Sequence, residues 1–282
     1  MTIASAARNL WQLYEPVHAV TYFAPQARVA FENAGLRGYW RGYFAGRAAP
    51  LGAVTAAPVT ALFFSFAPAM VARALPDVWQ RATPEKALAA RLNGAVAALR
   101  AIMPDEPARW AEAADLLEVA AGAAGTEGRA LAAANAVLPR PTGALARLWQ
   151  AATVLREHRG DGHIAALVNA ELTSCQALVL RHGVHGGRDQ LQPNRGWSDS
   201  EWDAAVGELT VRGLVDGSGR ATGEGLELHG DVENRTDRLA AQPWAALSVA
   251  EQERLAGVLA PLAAAAADAV VPYPNPMGLP RR

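Results

Sequence analysis

The feature that most limits the fold is the succession of local signals between residues 193 and 226, "PNRGWSDSEWDAAVGELTVRGLVDGSGRATGEGL". Ser198 and Glu201 stand three apart at the head of an apolar-periodic run, the spacing of a reciprocal capping box in which two open amides are satisfied at once. The helix that follows carries Trp202, Val206 and Leu209 on one face and stops at Gly213. "LVDGSGRA" then offers a short strand, a turn rich in Asp and Gly, and a return strand, after which Thr222 caps a helix running to about residue 240. Upstream, Asp161 is placed to cap a helix beginning at Gly162, with Ile164, Leu167, Val168, Leu172, Cys175 and Val179 on one face and Gly183 at its end. Helix, helix, hairpin, helix is the order of a winged helix-turn-helix.

A weaker echo of this plan lies earlier. "GRAAPLGAVTAAPVTALFF" (46–64) lies over "GHIAALVNAELTSCQALVL" (162–180) with a shift of 116, and each is followed by a proline, a tryptophan and a helix start. The expected fold is therefore mainly α, with two tandem helix-turn-helix-like lobes: a wingless first repeat over 1–104 and a second over 105–240 with a small β-wing. Residues 241–282 supply a C-terminal helix (248–270) and a proline-rich strap, "VPYPNPMGLPRR", expected to lie extended across the surface with Tyr273 as anchor. Residues 145–240 resemble a winged-helix domain of the MarR type. The whole chain resembles the actinobacterial SalK-like helix-turn-helix family through "EPVHAVTYFAP" (15–25), "LRGYWRGYFAGRAAPLGAV" (36–54), "LREHRGDGH" (155–163), "RGWSDSEW" (195–202) and "PYPNPMGLP" (272–280). That resemblance implies architecture and assigns no catalytic residue.

Composition narrows the function classes. Acidic residues (27) nearly balance basic ones (26), and a net charge of −1 gives no general attraction to polyanions. A single cysteine, Cys175, excludes a disulfide framework, and the N-terminus has no secretory-signal pattern, so a cytoplasmic protein is expected. The longest uncharged stretch, 48–72, is broken by Pro50, Pro58 and Pro68 and reads as buried helix instead of a membrane span. The recognition-like helix carries Asp199, Glu201, Asp203 and Glu208 against one arginine, Arg212, which disfavours DNA. The wing adds only Arg220, but Arg188 and Arg195 precede the recognition-like helix where phosphates could be touched, which keeps a ligand-responsive DNA-binding regulator as the alternative.

Two clusters can carry chemistry. In "RGYWRGYFAGR" (37–47), Gly38, Gly42 and Gly46 recur every four residues and are expected to let another backbone come close, while Tyr39, Trp40, Tyr43, Arg41 and Arg47 offer aromatic and guanidinium groups. "REHRGDGH" (156–163) brings Arg156, Glu157, His158, Arg159, Asp161 and His163 together, with His163 expected in a helix's first turn as a neutral imidazole. A capped helix start with solvated charges, including an Arg159–Asp161 or Arg156–Glu157 contact, would give the same letters. His18 and Tyr22 stand four apart beside an apolar run and also fit a core pair. If the two clusters face one another, they line a cleft suited to an anionic or carbonyl-bearing aromatic small molecule, with Tyr22 in its wall and His163, His158 or His18 available for acid–base work. No metal or cofactor is expected: the histidine spacing does not match HExxH, and no phosphate loop, dinucleotide fingerprint or nucleophile elbow is visible. Monomer and homodimer both fit.

Overall fold

The computed structural model describes residues 3–273, 275 and 277–280, with the side chains of 3–5 left aside. Fourteen α-helices follow one another among these residues: α1 (Ile3–Phe23), α2 (Pro25–Asn33), α3 (Tyr39–Ala48), α4 (Ala56–Phe63), α5 (Pro68–Ala72), α6 (Pro84–Ile102), α7 (Pro107–Gly122), α8 (Ala130–Ala136), α9 (Ala144–Asn169), α10 (Ser174–His185), α11 (Arg188–Leu191), α12 (Asp199–Val211), α13 (Gly223–Leu239) and α14 (Val249–Val270). Three apolar cores organise them. The largest joins α1, α6, α7, α9 and α14 through Val17, Leu99, Leu117, Trp149, Leu255 and Leu262. A second gathers Leu36, Phe44, Phe63, Phe66, Val71 and Val78, and a third Val179, Trp202, Leu209, Val215 and Val232.

The caps read from sequence at the third core are present. Ser198 and Glu201 form the reciprocal box at the head of α12, and Thr222 accepts the Gly225 amide at the head of α13. Trp202 and Leu209 are fully buried, and Gly213 closes α12 with φ +74°. The expected hairpin is reduced to one antiparallel bridge, Val215 with Ala221, and no strand occurs among the described residues. Asp216 explains the short turn: its carboxylate accepts the Ser218 and Arg220 amides and the Ser218 hydroxyl, so side-chain bonds replace a ladder.

Several expected boundaries are corrected. No helix begins at Gly162; α9 runs unbroken from Ala144 to Asn169 with Gly160 and Gly162 inside it. Glycine at 162 makes room for the Arg129 guanidinium, which would stand 2.7 Å from a β-carbon there, with Leu239 at 3.3 Å. The single helix expected over 162–182 is divided by a turn near Thr173 into the end of α9 and α10, and Gly183 lies within α10. The glycine stripe of α3 meets no backbone: Gly42 and Gly46 receive the Phe31 ring, and Gly38 precedes the helix. Residues 48–72 divide into a 3-10 turn, α4 and α5, and among the described residues no single helix is long and apolar enough to cross a membrane. In the strap, residues 274, 276, 281 and 282 lie outside the described set. Its described part dips inward instead of crossing the surface: Leu279 packs in the largest core, and buried Asn275 ties the loop through the Leu279 and Met277 backbone. Tyr273 does pack, against the small cluster of Ala19, Ala267 and Val271.

The second and third cores are clasped together. Trp197 donates its indole N–H to the Ser65 carbonyl (3.0 Å), the Ala67 amide donates to the Arg195 carbonyl (2.8 Å), and Phe64 packs against the third core. Within the third core the tightest approach is at Gly225, where a β-carbon would fall 2.0 Å from the Leu214 carbonyl oxygen. Gly225→Ala therefore forces backbone apart and is expected to cost at least about 1–3 kcal/mol; a melting temperature equal to wild type would show that this packing is wrong.

Candidate functional site

The three cores leave a cavity of about 660 Å³ between them, inside the range of small-molecule sites. One wall is aromatic. Tyr39, Trp40 and Tyr43 project from successive turns of α3, and Phe66 meets Trp40 at 5.9 Å and Tyr43 at 5.5 Å between ring centres. Tyr22 from α1 joins at 5.2 Å from Tyr43.

The opposite wall is one face of α9. At 100° per residue, Arg156, Arg159, Gly160, His163, Ile164 and Leu167 fall on one side, and all six line the cavity. Their charges are held by a network. Arg47 grips Glu157 with two bonds of 3.0 Å, Arg156 stands 2.9 Å from the same carboxylate, and its other side approaches Glu15 at 3.6 Å. Trp11 donates to Glu15 at 3.0 Å. Arg159 pairs with Asp237 at 2.8 Å and reaches Glu233 at 3.7 Å, and Arg8 contacts the same two carboxylates. Of the two contacts weighed from sequence, Arg156–Glu157 is therefore present, and Arg159 turns to Asp237 instead of Asp161. Burial alone would raise the Glu157 carboxyl; the Arg156 and Arg47 charges overrule it and hold the group well below the usual carboxylate range.

Hydrogen-bond directions fix two imidazoles. Thr153 donates its hydroxyl proton to the Trp149 carbonyl at 2.8 Å, so its oxygen accepts from His18 Nδ1 at 3.0 Å, leaving His18 Nε2 to accept from the Tyr22 hydroxyl at 3.1 Å. Burial, reinforced by Arg156, keeps His18 neutral. Tyr22 thus points its proton away from the cavity and its oxygen lone pairs remain acceptors. At the other end Thr236 donates to the Val232 carbonyl at 2.8 Å and accepts from His163 Nδ1 at 2.9 Å, which makes Nε2 the acceptor edge of that ring. The His163 side chain keeps 39% of its surface, facing the cavity it lines, and burial lowers its pKa to about 4.

The residues singled out from sequence thus divide into groups. Tyr22, Tyr39, Trp40, Tyr43, Arg47, Arg156, Arg159 and His163 converge on the large cavity. His18 and Glu157 stand behind its wall and line a smaller adjoining recess of about 30 Å³. Arg41, His158 and Asp161 do not come to the cavity. Arg41 is exposed and bonds the Arg37 carbonyl. Asp161 caps no helix of its own; its carboxylate accepts the Leu131 and Ala132 amides at 3.0 Å each and so caps α8, while burial raises its pKa to about 6. His158 is buried on the same far side of α9, where burial and then Arg129 lower its pKa to about 4. Sequence reasoning missed Phe63, Phe66, Arg181, Arg195, Glu233 and His229 in the lining. His229 is half-buried and meets His185 at 5.0 Å between ring centres. The helical period of 156–167 was the available signal for the α9 wall.

In the third core, α10 and α12 cross through Cys175, Val179 and Trp202. The outer face of α12 is acidic, and its carboxylates are engaged locally: Arg188 bridges Asp199 (3.2 Å) and Asp203 (3.0 Å), and Gln176 donates to Glu208 at 2.7 Å. Arg212 donates to the Glu171 and Ala170 carbonyls. Residues 7–272 match the model of a helix-turn-helix family. The chain belongs to that family. No curated protein and no solved structure matches this helix-turn-helix protein. Among its described residues no three metal-ligating side chains converge.

Two measurements check the site. Glu157→Gln leaves Arg47 and Arg156 buried beside a neutral amide and is expected to cost about 3–5 kcal/mol; an unchanged denaturation midpoint would contradict the network. His158 is kept neutral in the fold, so its contribution is complete above its ordinary value of about 6.5 and is lost as pH falls through that value toward 4. The stability difference between wild type and His158→Gln should therefore shrink between pH 6.5 and 4. A pH-independent difference would rule this out.

Proposed function

We propose that this protein is a small-molecule-binding member of its helix-turn-helix family, working through the cavity between the three cores, on a scaffold of MarR-like and SalK-like character. The observation that carries the reading is the cavity itself: about 660 Å³, with aromatic side chains on one wall and guanidinium and imidazole groups on the other. Such a lining suits an aromatic body bearing an anionic or carbonyl group, since stacking supplies area and the fixed donors supply orientation. Acid–base chemistry on a bound molecule falls to His163 first, because its Nε2 is an unprotonated acceptor at the cavity, whereas His18 is occupied by Tyr22.

The alternative is a ligand-responsive DNA-binding regulator, and family membership is what favours it. Against it stand the carboxylates of α12 and the engagement of Arg188 and Arg212 within the chain. Ala177 lines the cavity, so Ala177→Trp fills it. Aromatic acids and carbonyl compounds that raise the wild-type melting temperature should have no such effect on Ala177→Trp. Equal shifts in the two proteins would place binding elsewhere, and a salt-sensitive gel shift with genomic DNA would favour the regulator.

A further inference from the structure

The charges around the cavity divide unevenly. Arg8, Arg47, Arg156 and Arg159 are each in contact with one or two of four carboxylates, Glu15, Glu157, Glu233 and Asp237. Those guanidiniums are committed to holding the fold. Arg195 is placed differently. It ends a 3-10 turn, Pro193–Arg195, and its guanidinium carbon stands 4.7 Å over the Phe66 ring in the aromatic wall. Nε donates to the Ser65 hydroxyl at 3.2 Å and Nη1 to the Asn194 carbonyl at 3.1 Å, so three of the five N–H groups have no protein acceptor among the described residues. No carboxylate there forms an ion pair with it. A planar cation fixed at Nε and Nη1, stacked on a ring and open along its remaining edge presents a fork shaped for a carboxylate. Burial, offset in part by Tyr43 and Tyr39, pulls its pKa below the usual value, as a cation lacking a counterion requires.

We infer that Arg195 seats the carboxylate of an aromatic acid whose ring lies among Tyr39, Trp40, Tyr43 and Phe66. This rests on the reading of the cavity as a binding site. Arg195 also belongs to the clasp between the second and third cores, since its carbonyl accepts the Ala67 amide. An acid bound there therefore tightens the segment that leads through Trp197 into α12.

Paired probes separate the parts of this inference: indole-3-acetate against indole-3-acetamide, and 1-pyrenebutyrate against its amide, titrated calorimetrically into the full chain. The acids should bind roughly tenfold or more tightly than their amides, the increment of a charge-assisted bond. Arg195→Gln should bring that ratio to about one while the amides bind as before, and Arg195→Lys should retain part of it. Exchange of the Ala67 amide should slow with acid in the wild type only. Unchanged amide affinity also reports that the variant remains folded. Acids and amides binding alike in the wild type, or a ratio that survives Arg195→Gln, would overturn the role of Arg195 and leave the cavity reading standing. Failure of all four probes to bind would overturn both.

Discussion

One buried carboxylate organises the site. Glu157, 1% exposed in the middle of α9, is gripped by Arg47 of α3 and flanked by Arg156 of its own helix. Isolated charges in so dry a place cost several kcal/mol each, and only their mutual pairing and hydrogen bonds make the arrangement tolerable. The pairing fixes α3 against α9, and so sets the aromatic wall opposite the basic one. The cavity between them exists because a polar lock, and not further apolar packing, joins the helices here.

That lock also accounts for what was and was not legible in the sequence. The helix caps at Ser198 and Thr222 could be read because capping is local: three residues and one hydroxyl decide it. Residue types alone did not place "RGYWRGYFAGR" and "REHRGDGH" on one space, since that depended on the two strings facing one another; in the structure eight of the thirteen named side chains line the large cavity. The secondary structure under the second string was misjudged because glycine at 160 and 162 reads as a break. Only the approach of Arg129, thirty-odd residues upstream, shows what the glycine at 162 makes room for inside a continuous helix. Asp161, an evident cap by type, does cap a helix, but it is α8 and lies across the fold. Arg195 looked like a phosphate contact because the motif around it directs attention to DNA; its contacts with Phe66 and Ser65 depend on a lobe 130 residues away.

The third core is one part of a larger helical body. Its α12 turns carboxylates outward; Arg188 is bound to two of them and Arg212 to main-chain carbonyls. Its inner side, by contrast, contributes Leu178, Arg181 and His185 to the cavity. On the face turned toward the other two cores, His163 presents one neutral imidazole acceptor and Tyr22 a fixed oxygen, while His18 stands behind the wall with its Nε2 taken by Tyr22.

The most direct test of this account is native mass spectrometry of the protein purified from its source organism, compared with the same sample after denaturation. The account predicts a small organic adduct on the folded chain, released on unfolding and absent from a variant whose cavity is filled. A folded chain that carries no adduct from its own cells, and whose mass and stability respond to no aromatic acid or carbonyl compound, would contradict it.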